Sequence, residues 1–282
     1  MQPPIPPNYR LSRGYVNTVS SGHISVTDIL PNAPLIVKSV NIGFLYFLTL
    51  HFLLGPDNYQ KLRLPEMTPY LDFYNLMAYD YSGSWSTIAG HQANLNHSNS
   101  NATSTPFYTV AALDYYINKG GVPSSKMVLG MPLYGHTFAN TDGPGTRFQG
   151  KSDGDSMESG ILAYKALPQA GGQEFMESIT QGGCGASWSY DPANRMMVSY
   201  DTVPMVEEKA KFVKDWDLGG GMWWEVSGDR GGVTASKSDG SLIGTFVDGV
   251  SGPTDKGLEQ AMNALEFPES QYDNLRAKFP GE

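Results

Sequence analysis

The sequence predicts an α/β fold: an incomplete (β/α)8 barrel of the TIM type carrying an inserted α+β subdomain. Three observations lead there. Apolar strand-like runs alternate with helical segments in the order strand, helix, strand, which implies parallel pairing. Each of these strands ends in polar or aromatic residues, and function in such a barrel sits at those ends. Residues 137–200 then break the rhythm with Gly-rich turns and short strand-like pieces.

Composition sets the outer limits. The chain has 282 residues, enough for one large domain or two small ones. With 40% hydrophobic and 12% aromatic residues, 32 Gly and 19 Pro, it reads as a folded, turn-rich protein and not a disordered one. A net charge of −9 repels a phosphate backbone, so nucleic acid is not an expected partner. A neutral polysaccharide is compatible with that charge. The single cysteine, Cys184, has no intrachain disulfide partner and reads as a small buried apolar side chain. No Cys/His cluster shows metal-ligand spacing, so neither a metal nor a cofactor is expected.

Residues 1–54 show no catalytic motif and no clean periodicity, and form a segment apart. Met1–Pro7 is proline-rich and lacks the apolar core of a signal peptide. Ile42–Leu54 is the most apolar stretch but is short for a bilayer span. A buried segment is its main reading; a membrane anchor, or sequence foreign to the rest, stays open. Residues 55–136 hold two strand units. Leu71–Tyr79 is the first strand, and a Ser/Asn-rich loop follows from Gly83 to Ser104. Ser104 or Thr105 is the expected cap of the next helix, with Pro106 in its first turn and Gly120-Gly121 as its stop. Met127–Pro132 is the second strand.

Residues 137–200 are the inserted subdomain, with a helical patch near Tyr164–Leu167 and strands around Gly185–Tyr190 and Arg195–Tyr200. In 201–282 the alternation returns, with a helix at Val203–Trp216, a strand at Gly219–Trp224 and a helix at Ser241–Val250. The tail after Ser251 is expected to be helix and loop on the outside.

Three motifs carry a resemblance to a known family. Met77-Ala-Tyr79-Asp80-Tyr81-Ser-Gly-Ser-Trp85 resembles the sixth-strand motif of family 18 glycoside hydrolases, the chitinases. Gly130-Met131-Pro-Leu-Tyr134-Gly135 is similar to the seventh-strand motif, and Gly220-Gly-Met-Trp-Trp224-Glu225 to the eighth. Thr141–Gly145 and Gln271–Arg276 resemble secreted fungal endochitinases, so the likeness runs from roughly Gly55 to Arg276. It implies substrate-assisted, retaining hydrolysis of β-1,4-linked N-acetylglucosamine, in which the sugar's own N-acetyl oxygen is the nucleophile. It implies that Tyr79 binds the acetamide oxygen and that Asp80 binds a sugar hydroxyl and influences the acid's proton. Met77, Trp85, Met131, Tyr134, Trp224 and Glu225 become expected substrate contacts. Trp223 reads as core, because neighbours on a strand face opposite ways. Glu225 keeps a second reading as a solubilising charge, and Trp188 reads mainly as packing. His136 stands where the family usually has Arg, and reads mainly as structural.

The family's fourth-strand motif D-x-x-D-x-D-x-E, whose Glu is the proton donor, occurs nowhere in the sequence, and the third-strand S-x-G-G motif is missing too. Asp153-Gly-Asp155-Ser-Met-Glu158 has the wrong spacing to replace it, since D-x-x-E puts the two carboxylates on opposite strand faces. The abrupt loss of likeness near Gly55 implies a truncated or misassembled gene product. The chain is expected to be marginally stable and without turnover. Chitin or its oligosaccharides are the expected partner, with no membrane partner. The setting is extracellular by resemblance, and sequons at Asn96 and Asn101 fit a secreted ancestor. Activity could require a complementary barrel half; a non-hydrolytic chitin-binding protein or a non-functional fragment stays open as an alternative.

Overall fold

The structure, a computed structural model, describes residues 15–18, 36–42, 45–53, 56–152, 158–231 and 237–251. Three strands come from the segment in which the sequence showed no pattern: β1 (Tyr15–Thr18), β2 (Ile36–Ile42) and β3 (Leu45–Leu53). Within the apolar stretch, Leu45–Leu53 is thus strand, paired on both sides, and among the described residues no helix is long and apolar enough to cross a membrane. Single-turn helices α1 (Pro56–Tyr59) and α2 (Leu64–Met67) lead into β4 (Phe73–Met77).

Helix α3 (Thr109–Asp114) runs on as a π-helical turn to Lys119, and Gly121 ends it in the left-handed region at φ +67°. Its start corrects the sequence expectation. The N-cap is extended Tyr108, which makes no side-chain cap bond. Ser104 and Thr105 are spent in the preceding loop: Ser104 Oγ donates to Asn101 O, and Thr105 Oγ1 accepts from Ser98 N. Tertiary bonds outcompeted the local cap.

Strands β5 (Met127–Pro132) and β6 (Tyr134–Phe138) follow almost without a break. Then come β7 (Ile161–Ala163), β8 (Gln173–Glu177), β9 (Ala186–Asp191) and β10 (Met196–Ser199). Helix α4 (Val203–Asp215), strand β11 (Gly220–Trp224) and helix α5 (Leu242–Val250) complete the described elements. The expected tail lies outside the described residues, as does most of Asp153–Glu158.

One sheet has six strands in the order β1-β11-β5-β4-β3-β2. All neighbours are parallel except β2, which runs antiparallel to β3 in a hairpin closed at Ile42↔Leu45. Among the described residues the sheet does not close, and β1 and β2 are its edges. The other sheet is antiparallel, in the order β7-β6-β10-β9-β8. Because β6 follows β5 after Leu133 alone, the second sheet is built directly on the end of a strand of the parallel sheet.

The central parallel strands bury both faces, as strands covered by helices do. Tyr74, Leu76, Met127, Leu129, Met131 and Trp223 point to the large outer core, which holds Val206, Ala210 and Val213 of α4 and Leu242 and Phe246 of α5. Phe73, Val128 and Met222 point to the inner side. α5 is held by a true cap: Ser241 Oγ accepts from Gly244 N, and Asp229 accepts from Leu242 N.

Candidate functional site

The inner face of the parallel sheet carries a small apolar patch of Phe73, Val128 and Met222, with Met77 packed against it. At the C-terminal end of these strands the patch gives way to Tyr79 and Tyr134, which meet edge to face at 6.3 Å. Both rings are almost fully buried. Room for Tyr79 depends on Gly130, where an added Cβ would sit 2.9 Å from the Tyr79 ring and closer still to the Leu76 carbonyl. Gly130→Ala must therefore shift backbone or ring. We expect it to cost about 1–3 kcal/mol in a urea melt, as overpacking does.

After β4 the chain turns sharply. Asp80 adopts φ +62°, a left-handed conformation that Asp tolerates better than most residues. This turn lays its carboxylate over the neighbouring strand. Tyr134 Oη donates to Asp80 Oδ1 at 2.6 Å, and His136 Nε2 lies 2.9 Å from the same oxygen. Asp80 itself is two-fifths exposed. The site thus presents a carboxylate gripped from below on one oxygen.

Tyr79 Oη is the group left over: it is buried and has no hydrogen-bond partner among the described residues. Burial, then the nearby Asp80 charge, holds the Tyr79 and Tyr134 phenols well above the ordinary tyrosine pKa. Both therefore stay protonated and able to donate near neutral pH.

His136 is buried between two rings, with Tyr134 at 5.6 Å and Trp85 at 5.2 Å, both edge-on. Trp85 is 61% exposed and lies over Gly83, whose missing side chain leaves space for the indole. Trp224, at the end of β11, is 36% exposed. Its neighbour Trp223 is fully buried in the outer core, as strand alternation requires. The Trp224–Glu225 peptide is cis. The Glu225 carboxylate accepts from Ser227 N at 3.3 Å and caps the turn Val226–Gly228, so part of its bonding capacity is local.

The structure does not bring every expected residue to this place. Met131 is fully buried on the opposite face, in the outer core with Trp223 and Phe246. Its pairing partner is Trp223, and the shared register sends both side chains outward. Met222 takes the inward position instead. The alternation that separates Trp223 from Trp224 also puts Met222 on the Trp224 side, so that signal was present in the sequence. Gln92 had no signal at all: its Nε2 donates to Tyr134 O and Ser199 O at 2.8 Å, tying the polar loop to both β6 and β10.

Comparison with known proteins gives this arrangement its context. The model of glycosyl hydrolases family 18 matches residues 45–229, so the match takes in β3. Endochitinase 1 of Metarhizium robertsii is 44% identical over 234 residues, covering 83% of this chain and 51% of that protein. Chitinase 1 of Aphanocladium album is 43% identical over 232 residues, covering 80% and 51%. The chain spans about half the length of these curated relatives. Among solved structures, chitinase ChiA74 from Bacillus thuringiensis aligns with a TM-score of 0.63 at 25% identity, covering 73% of this chain and 36% of that one. YKL-39, solved in the presence of chitooligosaccharides, aligns with a TM-score of 0.64 at 26% identity, covering 73% and 58%. With the family match across the strand ends that carry Tyr79, Tyr134 and Trp224, the chain belongs to family 18 of the glycosyl hydrolases.

Proposed function

We propose that this chain is the substrate-gripping, late-strand part of a chitin hydrolase, and that alone it binds chito-oligosaccharides without cleaving them. The observation that carries the reading is Tyr79 Oη: a buried donor with no described partner, beside a half-exposed carboxylate and two exposed indoles. An unmet buried hydroxyl costs about 1–3 kcal/mol, and a ligand acceptor repays it. In substrate-assisted hydrolysis that acceptor is the N-acetyl oxygen, which Tyr79 would hold against the anomeric carbon. Asp80 takes a sugar hydroxyl through the oxygen that Tyr134 and His136 leave clear. Met77 packs beneath the ring. Trp224 and Trp85 offer flat apolar faces to the C–H sides of successive sugars.

Cleavage needs one more group, an acid for the leaving oxygen. The D-x-x-D-x-D-x-E motif that carries it in the family is not in this sequence, and loss of a general acid costs 100-fold to 10,000-fold in rate. The sequons at Asn96 and Asn101 fit an extracellular setting. A titration with chitohexaose, followed by tryptophan fluorescence, tests the reading beside an assay with a fluorogenic chitobioside. We expect a saturable change and no release of fluorophore above buffer. No response to chitohexaose would leave a fragment without function. Release that survives purification would mean an acid from elsewhere in the chain. Release only on co-expression with a chain bearing the missing motif would mean a half-barrel that needs its complement.

A further inference from the structure

A second polar cluster lies in the interior, made of residues that the sugar site does not use. His91 comes from the loop after β4, Glu177 from the end of β8, and Cys184 from the turn before β9. One ligand atom from each falls within 4.8 Å of the other two. His91 and Cys184 are completely buried, and Glu177 is partly so. Cys184 Sγ donates to Glu177 Oε2 at 3.2 Å. Among the described residues, neither ring nitrogen of His91 has a hydrogen-bond partner. A side chain with two unmet polar atoms at zero exposure calls for an explanation, because almost every buried polar group in a folded protein is satisfied. Trp188 covers the imidazole at 5.0 Å but offers its nitrogens nothing to bond.

The backbone around the cluster is already fixed. Asn96 N donates to Cys184 O, Leu95 N to Gly185 O, and Gly185 N to Glu177 O. These bonds join the polar loop to the turn that carries Cys184 and that turn to Glu177, and His91 N donates to Ser104 O within the loop. An imidazole nitrogen, a thiolate and a carboxylate are the donor set of zinc. One thiolate and one carboxylate also balance a divalent ion, so the filled site carries no net charge into the core.

We propose that His91, Glu177 and Cys184 form a structural zinc site that pins the polar loop to the β8–β9 hairpin. On binding, the Cys184 thiol loses its proton to solvent, and the ion takes that proton's place between Sγ and the carboxylate. A His91 nitrogen lone pair supplies the third bond, and water completes the tetrahedron. Tetrahedral zinc sets ligand atoms roughly 3.3–3.6 Å apart, so the side chains close in by about an ångström at the widest pair. Through Gln92, the residue after His91, the site would also steady Tyr134.

The test uses the full chain, stripped with a chelator and dialysed. Cobalt(II) serves as the optical probe, since a cysteine thiolate bound to cobalt adds a near-ultraviolet charge-transfer band. We expect one equivalent of cobalt with that band, its displacement by zinc, and a higher Tm with zinc but not with magnesium. Cys184→Ser and His91→Gln should each weaken zinc binding by roughly 100-fold, beyond what loss of an outer contact costs. A wild-type protein that takes up no cobalt, or takes it up without the thiolate band, overturns the proposal. So does a Tm indifferent to zinc. The wild-type readouts decide even if a variant does not fold, and none of them depends on sugar binding.

Discussion

Tyr79→Phe is expected to weaken chitohexaose binding by about tenfold or more while the free protein melts no lower than the wild type. The two halves of this result have one cause. In the free protein Tyr79 Oη is buried and has no described partner. Removing it breaks no bond and relieves an unmet donor, which is neutral or mildly stabilising. In the bound state the same hydroxyl meets the acetamide oxygen. Its loss there strands an acceptor and costs about 1–3 kcal/mol, and 1.4 kcal/mol is a factor of ten. Tyr134→Phe is the contrast: its hydroxyl already bonds Asp80 in the free protein, so that change should lower both Tm and affinity. A fluorescence titration and a thermal melt of each variant suffice. Unchanged affinity in Tyr79→Phe would remove the basis for the proposed sugar site.

The largest expected effect on stability is at the opposite side of the sheet. Lys209→Met should cost about 3–5 kcal/mol, read as a lower urea midpoint. Lys209 on α4 is 1% exposed and Asp201, just after β10, is 3% exposed. The ammonium donates to both carboxylate oxygens, at 2.8 and 2.7 Å. Burial alone disfavours both charges, pushing Asp201 up and Lys209 down, and each charge opposes that push on the other. Taking away the lysine leaves a desolvated carboxylate with nothing to balance it. Changing both partners, Asp201→Leu with Lys209→Met, should recover most of the loss, because the desolvation cost of the pair goes as well. A single-variant loss under about 1 kcal/mol would show that water reaches Asp201 once Lys209 is gone.

Much of this protein was legible residue by residue. Met127–Pro132 was read as a buried strand and is one, with all six residues buried. The helix read at Val203–Trp216 and the strand read at Gly219–Trp224 are present as Val203–Asp215 and Gly220–Trp224, each one residue shorter. The alternation of Trp223 and Trp224 was legible because it depends on backbone geometry over two neighbouring residues. The opening segment was not legible. β1 has four residues, too few to show a period, and it is a strand because β11 lies beside it. Met131 looked like a site residue by motif, yet its register with Trp223 turns it outward.

By itself, then, the sequence determined the family, the late barrel strands and the aromatic and acidic residues at their ends. Periodicity, turn chemistry and motif spacing are local quantities, and a chain carries them along its length. Only the tertiary structure decided that Asp80 is held by Tyr134 and His136, that Tyr79 Oη is unpaired among the described residues, and that His91, Glu177 and Cys184 converge. Those facts are distances between segments far apart in the chain. They are set by strand order and by the packing of loops on a sheet, which no stretch of neighbouring residues encodes.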